Sequence, residues 1–292
     1  MSEIKKSGVV TAASRFFFPG LQLLARSIGD IDESARVACF DLGFTNEQLQ
    51  YAKQALHNVD IINVPSNPEF EFIRAHLTAP TKRGRDEWRI WACPFFIEKS
   101  PFQQTVWMDC DTIVLRNIQV LFAMLEDGPV FTASDPLDIG MTGNMPKLYE
   151  LMPVDNVLSD EPHINAGVIG IDLTRDIDLL NSYKMLVLRA AEDPNLKSMI
   201  SWYDQGALIW AILKCSLCHR IADTSWNRSV ASLGAEAVSR LEKFQVSDDL
   251  FESIRLAFPG INILHWYGMS NKLWHTLSRK PYPHTQDIFD WA

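Results

Sequence analysis

Two acidic residues, Asp109 and Asp111, stand one residue apart at the end of the apolar, β-branched segment 104–108. Such a segment is typical of a strand buried in a parallel sheet. Because unpaired carboxylates are costly to bury, both should lie where the strand emerges at its carboxyl end, where open α/β sheets bind ligands. Residues i and i+2 of an extended chain point the same way. Both carboxylates can therefore face one hard cation, such as Mg²⁺ or Mn²⁺.

The same Asp-x-Asp spacing occurs twice more, at 30–32 and at 176–178. The first lies in a predicted polar turn and the second opens a predicted helix. Neither follows a strand, so we interpret both as solvated acids. The alternative for Asp109 and Asp111 is a pair of turn or helix-capping aspartates, but their position after a strand favours a metal site.

The composition limits the classes of function. A chain of 292 residues with 47% hydrophobic and 22% charged residues is typical of a soluble globular protein. The net charge of −9 argues against a general binder of nucleic acid or anionic membranes. No apolar run reaches the ~20 residues needed to cross a bilayer. The first residues lead directly into a predicted strand without a secretory signal, so we expect a cytoplasmic protein with no transmembrane segment.

The five cysteines predict reduced thiols, because their number is odd and their surroundings are apolar. Cys215, Cys218 and His219 have the spacing of zinc or redox ligands. No second cysteine pair completes a set of four ligands. We therefore favour packing over metal binding for this cluster.

Strand and helix signals alternate in the first half of the chain, which predicts right-handed crossovers and a mostly parallel α/β sheet. Predicted strands cover 9–13, 36–40, 59–64 and the segment before Asp109. Predicted helices run from Pro19 to near Gly29, follow a capping box at 45–48, and cover 88–96 with a kink at Pro94. The carboxyl ends of the strands should gather at one edge of the sheet.

The second half is less regular. Strands are predicted at 129–134, 164–171 and 261–264, and helices at 177–191 and 205–213. Segment 136–163 has little periodicity and predicts a long surface excursion, which in a compact domain is often functional. No internal repeat is visible, so we expect one domain over 1–292.

Several separated segments resemble, in family order, the GT-A glycosyltransferases that use nucleotide sugars, in particular the retaining type that includes lipopolysaccharide galactosyltransferases and glycogenin. The matching segments are Val-Thr-Ala-Ala-Ser at 10–14, Val-Trp-Met-Asp-Cys-Asp-Thr-Ile-Val-Leu at 106–115, Thr-Ala-Ser-Asp at 132–135, Ile-Asn-Ala-Gly-Val at 164–168, Tyr-Asp-Gln-Gly at 203–206, Trp-Asn at 226–227, and Leu-His-Trp-Tyr-Gly-Met-Ser-Asn-Lys-Leu-Trp at 264–274. The resemblance implies a Rossmann-like GT-A sheet, with a nucleotide-binding half at 1–117 and an acceptor-side half with a C-terminal segment at 118–292.

The resemblance implies that Asp109, Asp111 and His265 bind a divalent cation on the donor diphosphate. Two carboxylates and an imidazole suit Mn²⁺ better than Mg²⁺, since imidazole is the softer ligand. Without the resemblance, His265 would be interpreted as a half-buried histidine at a strand end.

Further site residues follow from the same resemblance. Ala13 and Ser14 match residues that contact the uridine, with Asp41 expected to add a contact beside them, and Arg89 and Asn165 match further donor-binding positions. The late motif adds Gly268 and Lys272 as expected donor contacts. Asp135 matches an acid near the sugar hydroxyls, and Asp204 and Gln205 match a pair under the sugar. Arg89 has a solvated helix face as its alternative, and Asp204 a helix N-cap.

Two positions depart from the family pattern. The late motif has Asn271 where the family has a lysine, and Lys272 comes one residue later. The family often has a second acid after Asp-Gln, where this chain has Gly206.

The expected activity is metal-dependent transfer of a sugar from a UDP-sugar to a hydroxyl of a glycan, a lipid-linked saccharide or a small molecule, with retention at the anomeric carbon. One alternative is a haloacid-dehalogenase-type phosphatase with Asp109 as nucleophile, although that motif normally follows the first strand. The other is a protein that binds a sugar nucleotide without turnover.

Overall fold

The computed structural model describes residues 5–64, 66–78, 86–133, 144–154, 164–215, 219–241 and 249–266. The strands are β1 Lys5–Ala13, β2 Val37–Asp41, β3 Val59–Asn63, β4 Phe102–Met108, β5 Thr112–Val114, β6 Val130–Ala133, β7 Ile164–Asp172, β8 Arg220–Ala222, β9 Arg228–Ser229 and β10 Ile263–His265. The α-helices are α1 Phe18–Ile31, α2 Asn46–Ala55, α3 Pro68–His76, α4 Trp88–Trp91, α5 Cys93–Glu98, α6 Gln119–Leu125, α7 Met145–Leu151, α8 Ile177–Glu192, α9 Pro194–Met199, α10 Asp204–Cys215, α11 Gly234–Leu241 and α12 Leu250–Ala257. Short 3-10 helices cover Arg15–Phe17, Thr224–Asn227 and Ala231–Leu233.

The main sheet has seven strands in the order β3-β2-β1-β4-β7-β6-β8. Neighbouring strands are parallel except that β7 runs antiparallel to both β4 and β6. The prediction of a mostly parallel α/β sheet is therefore confirmed. The reversed direction of β7 has a consequence for the site. Its amino end, with Asn165, lies at the same sheet edge as the carboxyl ends of the other strands.

A second sheet of three short strands, in the order β5-β10-β9, forms beside that edge. After β4 the chain turns at 109–111 and enters β5, which pairs antiparallel with β10 so that Thr112 lies opposite His265. The two aspartates thus converge through a turn and not through the alternation of an extended strand. The turn also explains why Cys110 packs into the core, with 8% of its surface exposed.

Both faces of the main sheet are covered. Along β1, Val9 belongs to a hydrophobic cluster that includes side chains from α1 and α6, whereas Val10 belongs to a cluster that includes side chains from α5, α8 and α10. Every residue of β7 is buried, as expected for a central strand with helices on both sides. The rigid layer formed in this way fixes the backbone from which the site residues project.

The helix predictions are confirmed in part. The capping box of α2 is present, with Thr45 and Gln48 each accepting a hydrogen bond from the other's backbone N–H. The predicted kinked helix at 88–96 is instead two helices, α4 and α5, that meet at Ala92. Pro94 lies in the first turn of α5, where a missing N–H costs nothing, so it does not kink a continuous helix. Helix α3 was not predicted, although Asn67 caps it and Pro68 begins it.

Three further expectations are corrected. Segment 136–163 contains helix α7, and its other described residues are 144 and 152–154. Asp176 is not a solvated acid, because only 3% of its surface is exposed. Its carboxylate pairs with the Arg175 guanidinium at 2.7 Å and accepts the Asp172 N–H at 2.9 Å. Asp30 was predicted to lie in a polar turn outside any helix, but it belongs to the end of helix α1. Its carboxylate pairs with Arg255 at 2.7 Å.

The cysteines behave as predicted where the structure describes them. Cys39, Cys93 and Cys110 are buried, reduced thiols, and Cys215 is a partly buried one whose sulfur lies 3.3 Å from Ser182 Oγ. Cys218 lies outside the described residues. None of the described helices has the length and apolar character needed to cross a bilayer.

Candidate metal and donor site

Asp109, Asp111 and His265 meet at the carboxyl edge of the main sheet. His265 Nε2 lies 3.1 Å from Asp111 Oδ1 and 3.5 Å from Asp109 Oδ2. One ligand atom from each residue lies within 4.8 Å of the others. Two ligands at right angles around an ion such as Mg²⁺, each about 2.1 Å away, are about 3 Å apart. The three side chains therefore fit a single octahedral cation with little movement.

The backbone of the 109–111 turn is fixed by hydrogen bonds from three directions. The Asp109 N–H donates to Gly167 O at 2.9 Å, and Thr112 Oγ1 donates to Asp109 O at 2.8 Å. The Trp266 N–H donates to Asp111 O at 3.0 Å. The turn is thus tied to β7 and to the end of β10, which hold its carboxylates toward His265.

The Asp109 side chain is also oriented by Trp107, which lies near the end of β4. Trp107 donates its indole N–H to Asp109 Oδ1 at 3.0 Å, and its ring stacks on Phe96 at an interplanar angle of 5°. The second oxygen of Asp109 is the one that faces His265. Asp109 remains the more accessible acid, with 40% of its side chain exposed against 11% for Asp111.

His265 is almost fully buried, at 1% exposure, and its ring is confined on more than one side. Its Nδ1 lies 2.8 Å from Asn227 Oδ1. A Cβ added to Gly167 would lie 2.4 Å from His265 Cε1, well inside van der Waals contact. Glycine at this position in β7 therefore provides the space that the imidazole occupies.

The carboxylates change the proton affinity of His265. Burial alone would lower the pKa of the imidazole, but the charges and hydrogen bonds of Asp111 and Asp109 outweigh it and raise the pKa from 6.5 to about 9. In the metal-free protein the protonated ring therefore balances the two acids at neutral pH. A cation that binds here must displace that proton.

Asp204 begins α10 close to this group of charges. Burial and the charge of Asp109 raise the pKa of its carboxyl group well above the usual range, against the opposing effect of hydrogen bonds. Tyr183 donates its hydroxyl to Asp204 Oδ2 at 3.4 Å. The surroundings of Asp204 thus favour the protonated acid in the metal-free protein.

The turn that leads into α10 has an unusual backbone. Trp202 and Tyr203 both have positive φ angles, 56° and 58°, a region that bulky residues rarely adopt. The Gly206 N–H donates to Ser201 O at 3.0 Å, and a Cβ at Gly206 would lie 2.3 Å from that oxygen. The close approach explains why glycine, and not a second acid, follows Gln205.

The predicted donor residues of the first two strands lie together. Ala13 and Asp41 are opposite each other in the β1–β2 register, and Ser14 precedes the 3-10 helix that follows β1. Asp41 Oδ1 accepts backbone N–H groups at 2.8 and 2.6 Å. Arg89 reaches the same edge, where its Nη1 donates to Leu42 O at 3.3 Å. Arg89 is therefore not only on a solvated helix face.

Asn165 lies at the amino end of β7, with 7% exposure. Its Oδ1 accepts the Gly167 N–H and a hydrogen bond from Asn227 Nδ2, both at 2.8 Å. Asn227 contacts this site although no role was predicted for it from the sequence. The Trp-Asn pair was part of the family resemblance, but the contacts of Asn227 with Asn165 and His265, which are distant in the sequence, could not be predicted from it. Gln205 lies beside Asp204 in the first turn of α10.

The remaining predicted site residues, Asp135, Gly268 and Lys272, lie outside the described residues.

The sheet order, the short second sheet and the acidic turn at the sheet edge define an α/β fold of the GT-A glycosyltransferase type. No protein-family profile matches the sequence, and no curated protein matches it either. Solved structures of glycosyltransferases do match the fold.

One is the galactosyltransferase LgtC in complex with donor and acceptor sugar analogues, with a TM-score of 0.62 and 15% identity over 97% of this chain and 100% of that one. Another is the bifunctional glycosyltransferase WbbM, with a TM-score of 0.61 and 12% identity over 100% of this chain and 52% of that one. A third is mouse xyloside xylosyltransferase 1, with a TM-score of 0.55 and 11% identity over 90% of this chain and 98% of that one. At these identities the similarity establishes the fold.

Proposed function

We propose that the protein is a metal-dependent glycosyltransferase that moves a sugar from a uridine diphosphate sugar to a hydroxyl acceptor, with retention at the anomeric carbon. The observation that carries the proposal is the convergence of Asp109, Asp111 and His265 at the ligand-binding edge of a GT-A sheet. Asp109 also follows the fourth strand of the chain, which does not suit the phosphatase alternative.

Asp109, Asp111 and His265 would hold the cation, for which we propose Mn²⁺ over Mg²⁺ because one ligand is an imidazole. When bound, the cation would stabilise the negative charge that develops on the diphosphate leaving group. Trp107 and the hydrogen bonds of the turn keep the two carboxylates in position before the donor arrives. Less reorganisation is then needed during the reaction.

The donor would lie along the edge formed by β1, β2 and β7. Ala13, Ser14 and Asp41 would contact the uridine, and Arg89 the donor beside them. Asn165 can offer the donor only its Nδ2 group as a new partner, since its Oδ1 already accepts two hydrogen bonds. We assign Gly268 and Lys272 to the diphosphate.

Asp204, Gln205 and Asp135 are proposed to act on the sugar. Retention requires either a covalent intermediate on a carboxylate or front-face attack by the acceptor hydroxyl. A protonated carboxyl group cannot act as a nucleophile, and burial, the main cause of the raised pKa of Asp204, does not depend on the cation. We therefore propose front-face attack, with Asp204 as a hydrogen-bonding partner of the sugar. Activity of Asp204→Asn within about tenfold of wild type would fit this route, whereas a covalent route would lose several orders of magnitude.

Calorimetry of UDP binding with Mn²⁺ tests the metal site. Asp109→Ala and Asp111→Ala should abolish metal-dependent binding and leave thermal unfolding cooperative. Asp178→Ala is a matched control, because Asp178 belongs to another Asp-x-Asp pair and is exposed. Unchanged UDP affinity in the first two variants would contradict the proposal.

A panel of nucleotide sugars identifies the donor. Each compound is added with Mn²⁺, Mg²⁺ or a chelator, and binding is detected as a rise in melting temperature, since a ligand stabilises the folded state by mass action. We expect a metal-dependent shift with UDP-sugars. Slow release of UDP from that donor without acceptor would then separate an active transferase from a protein that only binds the sugar nucleotide.

A further inference from the structure

Asn227 lies directly behind the proposed metal ligand His265, on the side away from the carboxylates. It ends the 3-10 helix Thr224–Asn227, and only 1% of its surface is exposed. Its Oδ1 is 2.8 Å from His265 Nδ1, and its Nδ2 donates to Asn165 Oδ1 at 2.8 Å and to Thr132 Oγ1 at 2.9 Å. A buried amide with every partner satisfied is a rigid element.

The orientation of this amide follows from a backbone group. The Gly167 N–H can only donate, so the atom of Asn165 that it meets at 2.8 Å must be the oxygen. That oxygen can only accept, so Asn227 must turn its NH₂ group toward it. The oxygen of Asn227 then faces His265, and the ring nitrogen at 2.8 Å must carry a proton.

The other ring nitrogen is left to face the acids. Once Nδ1 carries the proton, a neutral His265 has its lone pair on Nε2, 3.1 Å from Asp111 Oδ1. This is the tautomer in which the ring can share a cation with the two carboxylates. A hydrogen bond to the other nitrogen commonly fixes metal-binding histidines in this way.

We propose that Asn227 is a positioning residue, which sets the tautomer and the plane of His265 and links the metal site to Asn165 at the donor edge. This inference rests on the proposed function, because it assumes that His265 binds a metal. The contact between Asn227 and Asn165 also affects donor binding. Because Asn165 Oδ1 already accepts hydrogen bonds from Asn227 and Gly167, it is unavailable to the sugar nucleotide.

The first test measures Mn²⁺ binding in the absence of any nucleotide, by electron paramagnetic resonance of the free ion. Asn227→Leu keeps the branched shape and the number of heavy atoms of the side chain but can form no hydrogen bond, and should weaken Mn²⁺ binding about 10- to 100-fold. Ser225→Ala is the matched control. It removes a side-chain hydrogen bond of 2.6 Å between the same 3-10 helix and Asn262, without touching His265, and should bind Mn²⁺ as the wild type does.

The second test determines the tautomer of His265 in the wild-type protein. Long-range ¹H–¹⁵N spectra of ¹⁵N-histidine protein with diamagnetic Zn²⁺ should show Nδ1 protonated and Nε2 metal-bound for His265, whose signals His265→Gln identifies by their loss. Zn²⁺ on Nδ1, or wild-type Mn²⁺ affinity in Asn227→Leu, would overturn the inference and leave the proposed function standing. A wild-type protein that binds no Mn²⁺ would overturn both.

Discussion

The affinity of the Asp109, Asp111 and His265 site for Mn²⁺ should rise steeply with pH. The two carboxylates raise the pKa of His265 to about 9 although burial alone would lower it. Because only the neutral imidazole binds a metal, each bound cation must displace one proton. Each pH unit below that pKa therefore weakens the apparent affinity about tenfold.

The expected change in Mn²⁺ affinity is large enough to distinguish a raised pKa of His265 from an ordinary one. Between about pH 6 and about pH 8, a pKa of about 9 gives an increase of about 90-fold in the apparent association constant, whereas the ordinary value of 6.5 gives only about fourfold. Titrations of Mn²⁺ followed by electron paramagnetic resonance measure this constant directly. His265→Gln should bind more weakly and lose the steep dependence. An increase of about fourfold or less in the wild type would refute the reasoning.

The same pKa has the opposite effect on folding when a chelator keeps the protein metal-free. A group whose pKa is raised by folding stabilises the protein fully below its unfolded pKa, and that stability is lost as the pH rises through its folded pKa. The window for His265 therefore runs from 6.5 to about 9. Over it, the free energy of unfolding should fall by about 3 kcal/mol more in the wild type than in His265→Gln. Equal urea unfolding curves for the two proteins at both ends of the window would contradict this.

Substitution of either of two glycines tests the local packing. Gly167→Ala places a Cβ 2.4 Å from His265 Cε1, so the ring must turn. Calorimetry should then show Mn²⁺ affinity reduced roughly tenfold, and unchanged affinity would show that the ring is not confined there. Gly206→Ala places a Cβ 2.3 Å from Ser201 O, a backbone atom that cannot rotate away, and should lower the free energy of unfolding in urea by about 3 kcal/mol; a loss below about 0.5 kcal/mol would contradict the close approach.

The sequence pattern predicted most of the strands and a mostly parallel sheet, but not the reversed direction of β7. The pattern at 164–171 is a continuous apolar run, which indicates burial on both faces and is the same for either direction. Its antiparallel direction in β7 is set by pairing with β4 and β6. Helix α7 was missed because it is short and lies in a segment without clear periodicity. Such helices depend on tertiary packing, here through buried Met145 and Leu148.

The acidic residues of the site could be predicted from the sequence, whereas the polar residues that hold the site in place could not. Asp109 and Asp111 follow a strand, and the place of a strand end in an α/β sheet is a general rule. His265 needed the resemblance, because a lone histidine has no pattern. Asn227 depends on contacts with Asn165, 62 residues away, and Asp176 on a neighbouring arginine. A polar side chain in a sequence does not reveal whether its partners are protein or water.

The backbone of the turn before α10 gives a last test. Trp202 has a φ of 56° and 43% of its surface exposed. A residue with a Cβ in this region costs about 1–2 kcal/mol, and glycine avoids that cost. In an ordinary helix or strand, glycine is less stable than alanine by about 0.5–1 kcal/mol. Trp202→Gly and Trp202→Ala lose the same indole contacts, so their difference isolates the backbone.

We expect the order to be reversed here, with Trp202→Gly more stable than Trp202→Ala by about 1 kcal/mol in urea unfolding. Alanine more stable than glycine would show that the turn is not held at positive φ. The same pair of variants tests why the turn exists. Its carbonyl groups at 201 and 202 accept the Gly206 and Gln205 N–H groups, so the turn fixes the first residues of α10. If the strain serves to hold Asp204 at the metal site, the glycine variant should gain stability over the alanine variant and transfer sugar no faster. Strain maintained at a functional site has this signature, because its relief improves the fold without improving the chemistry.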